Sequence, residues 1–173
     1  MRTRVVGISH TVGAGGEEVG RAVAERRKGF LVRFIDSLGM SAGAGSVGYI
    51  PDLGELGRSE DFRALIREAI QETAERGDVV IASHAASLAL AGRDDLLRVL
   101  VTASPETRTK RLADAGESDP QGVVKEQDAA RADYLRRFHR IDRELSTHYD
   151  LVVNTDTLTR EQAADVVVHA VQT

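Results

Sequence analysis

A short apolar run that breaks into three glycines within four residues and then turns helical permits few folds. Residues Arg4-Val5-Val6-Gly7-Ile8-Ser9 read as a buried strand, and His10-Thr11-Val12-Gly13-Ala14-Gly15-Gly16-Glu17 carries the chain out of it. From Glu17 to about Lys28 the apolar residues Val19, Ala22 and Val23 recur on one helical face. Strand, glycine turn and helix in that order form the first unit of a parallel sheet covered by helices. Beyond the carboxyl end of such a strand, backbone N–H groups can curl around an anion at the positive end of the helix. A tight strand–helix turn with no ligand is the other reading of the same residues.

The rest of the chain repeats this alternation. Phe30, Leu31, Phe34, Ile35 and Leu38 fall at helical intervals ended by Gly39, which predicts a second helix. Residues 39–57 contain Gly43, Gly45, Gly48, Pro51 and Gly54 and read as a long glycine-rich loop. Ser59 is placed to cap a helix from Glu60 to Arg76, with Phe62, Leu65, Ile66 and Ile70 as its buried stripe and Gly77 as its stop. Asp78 to Ser83 and Leu96 to Thr102 are further buried strands, separated by a short apolar helix from Ala85 to Leu90. Ser104-Pro105-Glu106 opens a helix that ends near Ala115-Gly116, and Asp119-Pro120 opens a charged helix reaching about Leu145. Tyr149 to Val153 is the last strand, and Thr159-Arg160-Glu161-Gln162 is a capping box leading the C-terminal helix. The expectation is one α/β domain over residues 1–173, with a parallel sheet between two helical layers.

Composition narrows the function classes. Hydrophobic residues make up 42% and charged residues 29%, an ordinary globular balance, and the net charge of −4 argues against a nucleic-acid partner. Aromatics at 4% and no tryptophan argue against base-stacking platforms. Cysteine is absent, which removes disulfides, thiolate metal sites and cysteine nucleophiles together. No apolar run approaches the ~18–20 residues of a membrane span, and Met1-Arg2-Thr3-Arg4 shows no signal-peptide core. No membrane partner and a cytoplasmic location are therefore expected. His10 and His84 without a third ligand nearby make no metal site.

The Walker A spacing requires a glycine, four residues, then Gly-Lys-Ser/Thr. With Gly15 on the second glycine, His10 falls on the first, Gly16 on the lysine and Glu17 on the hydroxyl residue. The lysine for the outer phosphates and the hydroxyl for magnesium are both missing. Glu17 and Glu18 suit the first turn of a helix. The same carboxylates repel a phosphate by about 1–4 kcal/mol at 4 Å, depending on screening.

Taken in order, the motifs resemble those of the cytidylate-kinase-like family of P-loop proteins. The resemblance rests on Ile8-Ser9 with Gly13-Ala14-Gly15-Gly16-Glu17-Glu18-Val19-Gly20, on Val79-Val80-Ile81, and on Ala103-Ser104-Pro105-Glu106-Thr107-Arg108 with Arg111. It continues in Asp128-Ala129-Ala130-Arg131-Ala132-Asp133-Tyr134 and closes on Tyr149-Asp150-Leu151-Val152-Val153-Asn154-Thr155. Members of that family replace the lysine by a second glycine and typically carry arginines where this chain has His10, Glu17 and His84. The resemblance implies a three-layer P-loop nucleotide-kinase-like fold with a helical lid region at 104–145. It also implies ATP and Mg2+ as cofactors and phosphoryl transfer to a nucleoside monophosphate such as CMP, or to another small phosphate acceptor. By the same resemblance His10, Gly13, Ala14, Gly15, Gly16 and Glu17 hold phosphates, and Arg108, Arg111 and Arg131 neutralise transferred charge. Asp128 and His84 serve the substrate, and Asn154-Thr155 lies beside the nucleobase. The family also has a strand with an acidic residue soon after the first helix. Here Arg26-Arg27-Lys28-Gly29-Phe30 runs straight into helical spacing, so that segment is expected to be missing, with Phe34-Ile35-Asp36 as a displaced remnant being the weaker choice.

Each residue also has a plainer reading. Glu126, Asp128, Asp133 and Asp142 can pair with Arg131, Arg136, Arg137 and Lys125 on a solvated surface. His10 and His84 can act as imidazolium in place of arginine below pH ~6.5, or as neutral hydrogen-bonding groups. His139, His148 and His169 are read as surface positions. Asn-Thr-Asp is also an ordinary way to leave a strand. The Phe30–Leu38 helix and the second long helix suit a homodimer face as well as a core. Two functions follow: a nucleotide-kinase-like enzyme, or a binding or regulatory module that kept the fold and lost the reaction.

Overall fold

The computed structural model of the chain describes residues 3–27, 29–34, 60–83 and 85–172. Its centre is strand β1 (Val5–His10), whose first five residues are buried. β1 lies between β3 (Val79–Ser83) and β4 (Leu96–Thr102), with β2 (Leu31–Phe34) beyond β3 and β5 (Leu151–Asn154) beyond β4. All four pairings are parallel, in the order β2-β3-β1-β4-β5. The buried, β-branched character of β1 and β3 follows from this position, because a central parallel strand has helices on both faces.

Alternation along the strands distributes their side chains between two cores. Val6, Ile8, Val80 and Ala82 face α1 (Gly16–Arg26) and α6 (Arg160–Gln172), packing with Val19, Val23, Ala163 and Val167. Val5, Val79 and Ile81 face α2 (Glu60–Glu75) and α3 (Ala86–Ala89), packing with Ile70, Ala74, Ala86 and Leu90. α3 sits directly on β1 because Gly7 has no side chain: a Cβ there would lie 3.2 Å from the Ser87 Cα. The Ser87 hydroxyl donates to the Gly7 carbonyl at 2.7 Å, and the buried Ser9 hydroxyl donates to Ser87 at 3.1 Å.

The three-layer α/β expectation holds, and two element assignments are corrected. Residues 31–34 form a strand where helical spacing predicted a helix, so the second strand is present and not missing. Gly29 at φ 95° and the Phe30 N–H to Arg27 carbonyl bond turn the chain after α1, and the Leu31 N–H then bonds the Asp78 carbonyl. Sheet pairing with β3 overrides a short apolar run whose periodicity fits either state. The second correction concerns α5 (Pro120–His139), which stops short of Leu145. Arg140 adopts the left-handed conformation at φ 54°, bonds the Leu135 carbonyl and ends the helix without the usual glycine. A short 3-10 turn at Ser146–His148 follows.

The remaining helix starts are as the caps predict. In α4 (Pro105–Asp114) the Ser104 hydroxyl accepts from the Thr107 N–H at 3.2 Å. Thr159 and Gln162 exchange reciprocal bonds at 2.9 and 3.2 Å ahead of α6. The predicted cap at Ser59, the glycine-rich loop 39–57 and the side chains of Phe62, Leu65 and Ile66 lie outside the described residues. No helix among those described is long and apolar enough to cross a membrane.

Ile8 is fully buried in the larger core. Ile8→Ala is therefore expected to lower the unfolding free energy by about 2–5 kcal/mol, read as a reduced urea midpoint at unchanged slope.

Candidate active site

In this strand order the chain leaves β1 toward β2 on one side and later crosses to β4 on the other, so a crevice opens at the carboxyl end of β1. The glycine turn fills the base of that crevice. Thr11 N–H bonds the Val101 carbonyl at 3.3 Å, and Ala14 N–H closes a turn onto the Thr11 carbonyl at 3.1 Å. Gly13 at φ 74° and Gly15 at φ 83° take the left-handed conformation that favours glycine. A Cβ on Gly13 would lie 3.1 Å from the Arg108 Cβ and carbonyl, so α4 presses against the turn.

Gly16 has a different reason. A Cβ there would overlap the Cβ and ring of His10. The side chain absent from the lysine position and the large one at the first-glycine position occupy the same space. Glu17 is exposed in the first turn of α1, where Glu18 pairs with Arg160 at 3.4 Å. Arg160, from the start of α6, also covers Gly15: its Nε lies 3.2 Å from where a Gly15 Cβ would be.

Arg111 holds the turn from behind. Its Nη1 donates to the Gly13 carbonyl at 3.2 Å and to the Thr155 hydroxyl at 2.9 Å, while Nη2 donates to the Thr155 carbonyl at 2.6 Å. The buried Thr155 hydroxyl in turn donates to the Ala14 carbonyl at 2.8 Å. Arg111 and Thr155 thus stand behind the turn, and Arg111 is not in the lining of the cavity described next. Asn154 is exposed, and its Oδ1 accepts from the Asp156 N–H at 2.8 Å. Asp156 also accepts from the Ser104 N–H and hydroxyl at the start of α4, which brings its carboxyl down to about 2.

In front of the turn is a cavity of about 250 Å³ between Thr11, α4, α5 and residues 141–144. Arg108, 3% exposed, forks onto Asp128 with contacts of 2.8 and 2.6 Å. Arg131, also buried, donates to Glu144 from Nε at 3.0 Å and from Nη2 at 2.5 Å, and to the Tyr149 hydroxyl at 3.2 Å. Its Nη1 reaches the His10 carbonyl at 3.4 Å, tying α5 to the end of β1. The Tyr149 hydroxyl donates to Glu144.

Burial opposes the charge on Arg131, but the bonds and charge of Glu144 leave its pKa raised. Burial also pushes Glu144 up, and the Arg131 bonds and charge overcome it, holding the carboxyl below its usual range. Burial and Glu144 keep the Tyr149 phenol protonated, its pKa raised against the opposing effect of Arg131. Two atoms of the cavity-lining residues, Thr11 Oγ1 and Arg108 Nε, are buried without a hydrogen-bond partner among the described residues.

The cavity thus gathers Arg108, Arg131 and Asp128 beside the glycine turn, while His84 lies outside the described residues. The surface pairing expected for Asp128 and Arg131 is replaced by Arg108 and Glu144 as their partners, and among the described residues of α5 the exposed Asp133–Arg137 pair follows the helical spacing. His139 is also corrected. It is half-buried, with its pKa lowered by burial and by the nearby charges of Arg67 and Arg131. Thr11, Glu144, Tyr149 and Arg160 join the site without having been singled out in the sequence. Thr11 stood in the glycine turn, Tyr149 in the last-strand motif and Arg160 in a capping box, none with a role at the site, while Glu144 stood in no motif. Among the described residues no group of three His, Cys, Asp or Glu is placed to hold a metal ion.

Similarity to known proteins concerns the family and the fold. The family described as cytidylate kinase-like matches residues 28–157. No curated protein matches the sequence. An uncharacterized protein from Eubacterium ventriosum ATCC 27560 superposes with a TM-score of 0.75 at 19% identity, covering 99% of each chain. Shikimate kinase from Bacteroides thetaiotaomicron superposes with a TM-score of 0.62 at 21% identity, over 98% of this chain and 99% of that one. The tunicamycin resistance protein of Deinococcus radiodurans reaches 0.59 at 16% identity, over 98% and 96%. At these identities the likeness concerns the fold.

Two outcomes follow from the site. Gly16→Lys alone is expected to destabilise the protein by about 1–3 kcal/mol through overlap with His10. His10→Gly in the same chain should recover most of that loss, a coupling measurable by calorimetry. Glu144 stabilises the fold above its unfolded value of 4.5, and this contribution fades as pH falls through its lower folded value. Glu144→Gln should therefore flatten the decline in stability below about pH 4.5, seen in urea midpoints measured across that range.

Proposed function

The chain belongs to the cytidylate kinase-like family, and from that premise we propose that it transfers the terminal phosphoryl group of ATP to a small acceptor held in the Arg108–Arg131 cavity. Family and fold together are those of P-loop kinase-type phosphotransferases. The observation that carries the reading is the position of two buried arginines and Asp128 directly beside the glycine turn.

The turn fits a nucleotide's phosphates in one respect and departs in another. Its left-handed glycines leave a cradle that side chains would fill, and the first N–H groups of α1 have no partner within the helix. The lysine is absent, and in this reading His10 is the nearest side chain to the space it would use. Magnesium would supply charge neutralisation across the phosphates when bound, with Glu17 standing at the hydroxyl position. Arg111 and Thr155 keep the turn in shape from behind. Arg108 and Arg131 supply charge where phosphoryl transfer demands it. A nucleoside monophosphate such as CMP is the acceptor class the family description suggests, and a hydroxyl compound is the class suggested by the shikimate kinases among the structural neighbours. A cytoplasmic setting accompanies both.

A second reading is a nucleotide-binding regulatory module without transfer. It is favoured by one observation: both cavity arginines are already engaged by carboxylates.

Thermal denaturation against ATP, CTP, CMP, dCMP and AMP, each with and without magnesium, separates the two. A ligand at ~100 times its dissociation constant adds about 2.7 kcal/mol, a shift of several degrees. ADP release with an acceptor supports the enzyme, whereas a nucleotide shift without release supports the module. Arg131→Ala, combined with Glu144→Gln so that no buried carboxylate is stranded, is expected to lower turnover at least ~100-fold. Unchanged turnover in that variant removes Arg131 from the mechanism.

A further inference from the structure

A turn that holds phosphates needs a cation that can reach them, and three arginines at this one are already committed. Arg108 gives both terminal nitrogens to Asp128, and Arg131 gives Nε and Nη2 to Glu144. Arg111 directs its terminal nitrogens to the Gly13 carbonyl and to Thr155. Arg108 and Arg131 are almost wholly buried, so drawing either from its carboxylate strands a charge out of water. Drawing Arg111 away releases the turn itself. The lysine position is Gly16, where a side chain would overlap His10.

Arg160 is held in a different way. It is the first residue of α6, and the reciprocal bonds of Thr159 and Gln162 fix the backbone around it. Its side chain runs along Gly15: Nε, Cγ and Cδ lie 3.2, 3.5 and 3.7 Å from where a Gly15 Cβ would be. Gly15 is the N-cap of α1, in the left-handed conformation and with no side-chain cap. A side chain at position 15 would push the arginine stem away, so glycine here serves Arg160 as well as the turn. From this position Nη2 reaches Glu18 in the first turn of α1 at 3.4 Å. The guanidinium therefore lies beside the start of the helix, where the N–H groups without a partner inside it begin. Its contact with Glu18 is longer than those of Arg108 and Arg131 with their carboxylates, and the two side chains are 47% and 44% exposed. An exposed pair of this kind contributes little to stability and exchanges readily for another anion. Phosphate oxygens offer the guanidinium the same kind of partner with more charge.

On the reading that the turn takes the phosphates of ATP, we infer that Arg160 is their cation, resting on Glu18 and passing to the phosphates when nucleotide binds. A guanidinium from α6 thus neutralises the charge that a lysine at position 16 would otherwise meet, and Glu18 turns to water. Arg160 is not among the residues lining the Arg108–Arg131 cavity, so its role is with the donor and not the acceptor.

Isothermal titration calorimetry of the full chain with ATP, pyrophosphate and adenosine, each with magnesium, tests this. Arg160→Ala is expected to weaken ATP and pyrophosphate about tenfold, as loss of one charge-assisted hydrogen bond does. Adenosine, which lacks phosphates, should behave alike in parent and variant. Arg160→Lys should keep most of the affinity, and Glu18→Gln should bind ATP more tightly because the competing carboxylate is gone. Arg26→Ala is the control: it breaks a second ion pair between α1 and α6, to Asp165 at 2.9 Å, and should leave all three titrations unchanged. These side chains are partly exposed, so every variant should melt close to the parent without ligand. Unchanged ATP affinity in Arg160→Ala overturns the inference and leaves the ATP reading intact, as does an equal loss in Arg26→Ala. A parent that takes up neither ATP nor pyrophosphate overturns both. Pyrophosphate binding that depends on Arg160, without ATP binding, would uphold the phosphate role of Arg160 and defeat the ATP reading.

Discussion

Arg111 joins three distant parts of the chain at one point. Its guanidinium bonds the carbonyl of Gly13 on the turn after β1 and both the hydroxyl and carbonyl of Thr155 after β5, while its own backbone belongs to α4. A turn built from glycines has little stiffness of its own, because glycine gives up more conformational freedom on folding than any other residue. External bonds must supply the stiffness, and Arg111 and Thr155 supply them through the Gly13 and Ala14 carbonyls. Remove this clamp and the site loses its geometry before it loses any group that would touch a substrate.

The two buried ion pairs in front of the turn work differently. Taking charges out of water is costly, and such pairs often contribute little net stability over an apolar replacement. What Arg108–Asp128 and Arg131–Glu144–Tyr149 do provide is position. The first ties α4 to α5, and the second ties α5 to the segment that leads into β5. Arg131 further reaches the backbone of His10. The helices that border the cavity are thus tied by charge to one another, to the segment before β5 and to the end of β1. Their arrangement therefore responds to proton concentration in a way that the packed sheet beneath them does not.

Much of the sheet was legible in the residues. Val79 to Ser83 and Leu96 to Thr102 are apolar runs of strand length between clear stop signals, and the helix starts at Ser104-Pro105 and Thr159 carry their own capping chemistry. Residues 31–34 were not legible, because Phe30, Leu31 and Phe34 also fit helical spacing and pairing with β3 was the deciding interaction. Arg140 ends α5 in a conformation normally signalled by glycine, so no residue type announced the stop. At the site, Arg108, Arg131 and Asp128 were found through their motifs. Glu144 lies 13 residues from Arg131 in a segment with no periodic pattern, and Tyr149, though it heads the last strand, lies 18 residues away, so neither pairing could be read from spacing. Arg111 was read as a charge-neutralising group, and its bonds to Gly13 and Thr155 were not legible, since sequence shows a guanidinium but not its partners.

The overlap between His10 and the missing Gly16 side chain also bears on how such a turn changes over generations. A lysine introduced at position 16 collides with the imidazole, and a glycine introduced at position 10 first removes the residue that fills the gap. Neither single change reaches the Walker arrangement through a well-packed intermediate. Positions 10 and 16 are therefore coupled, so that any route between this turn and the Walker arrangement passes through a clash or a void unless both change together.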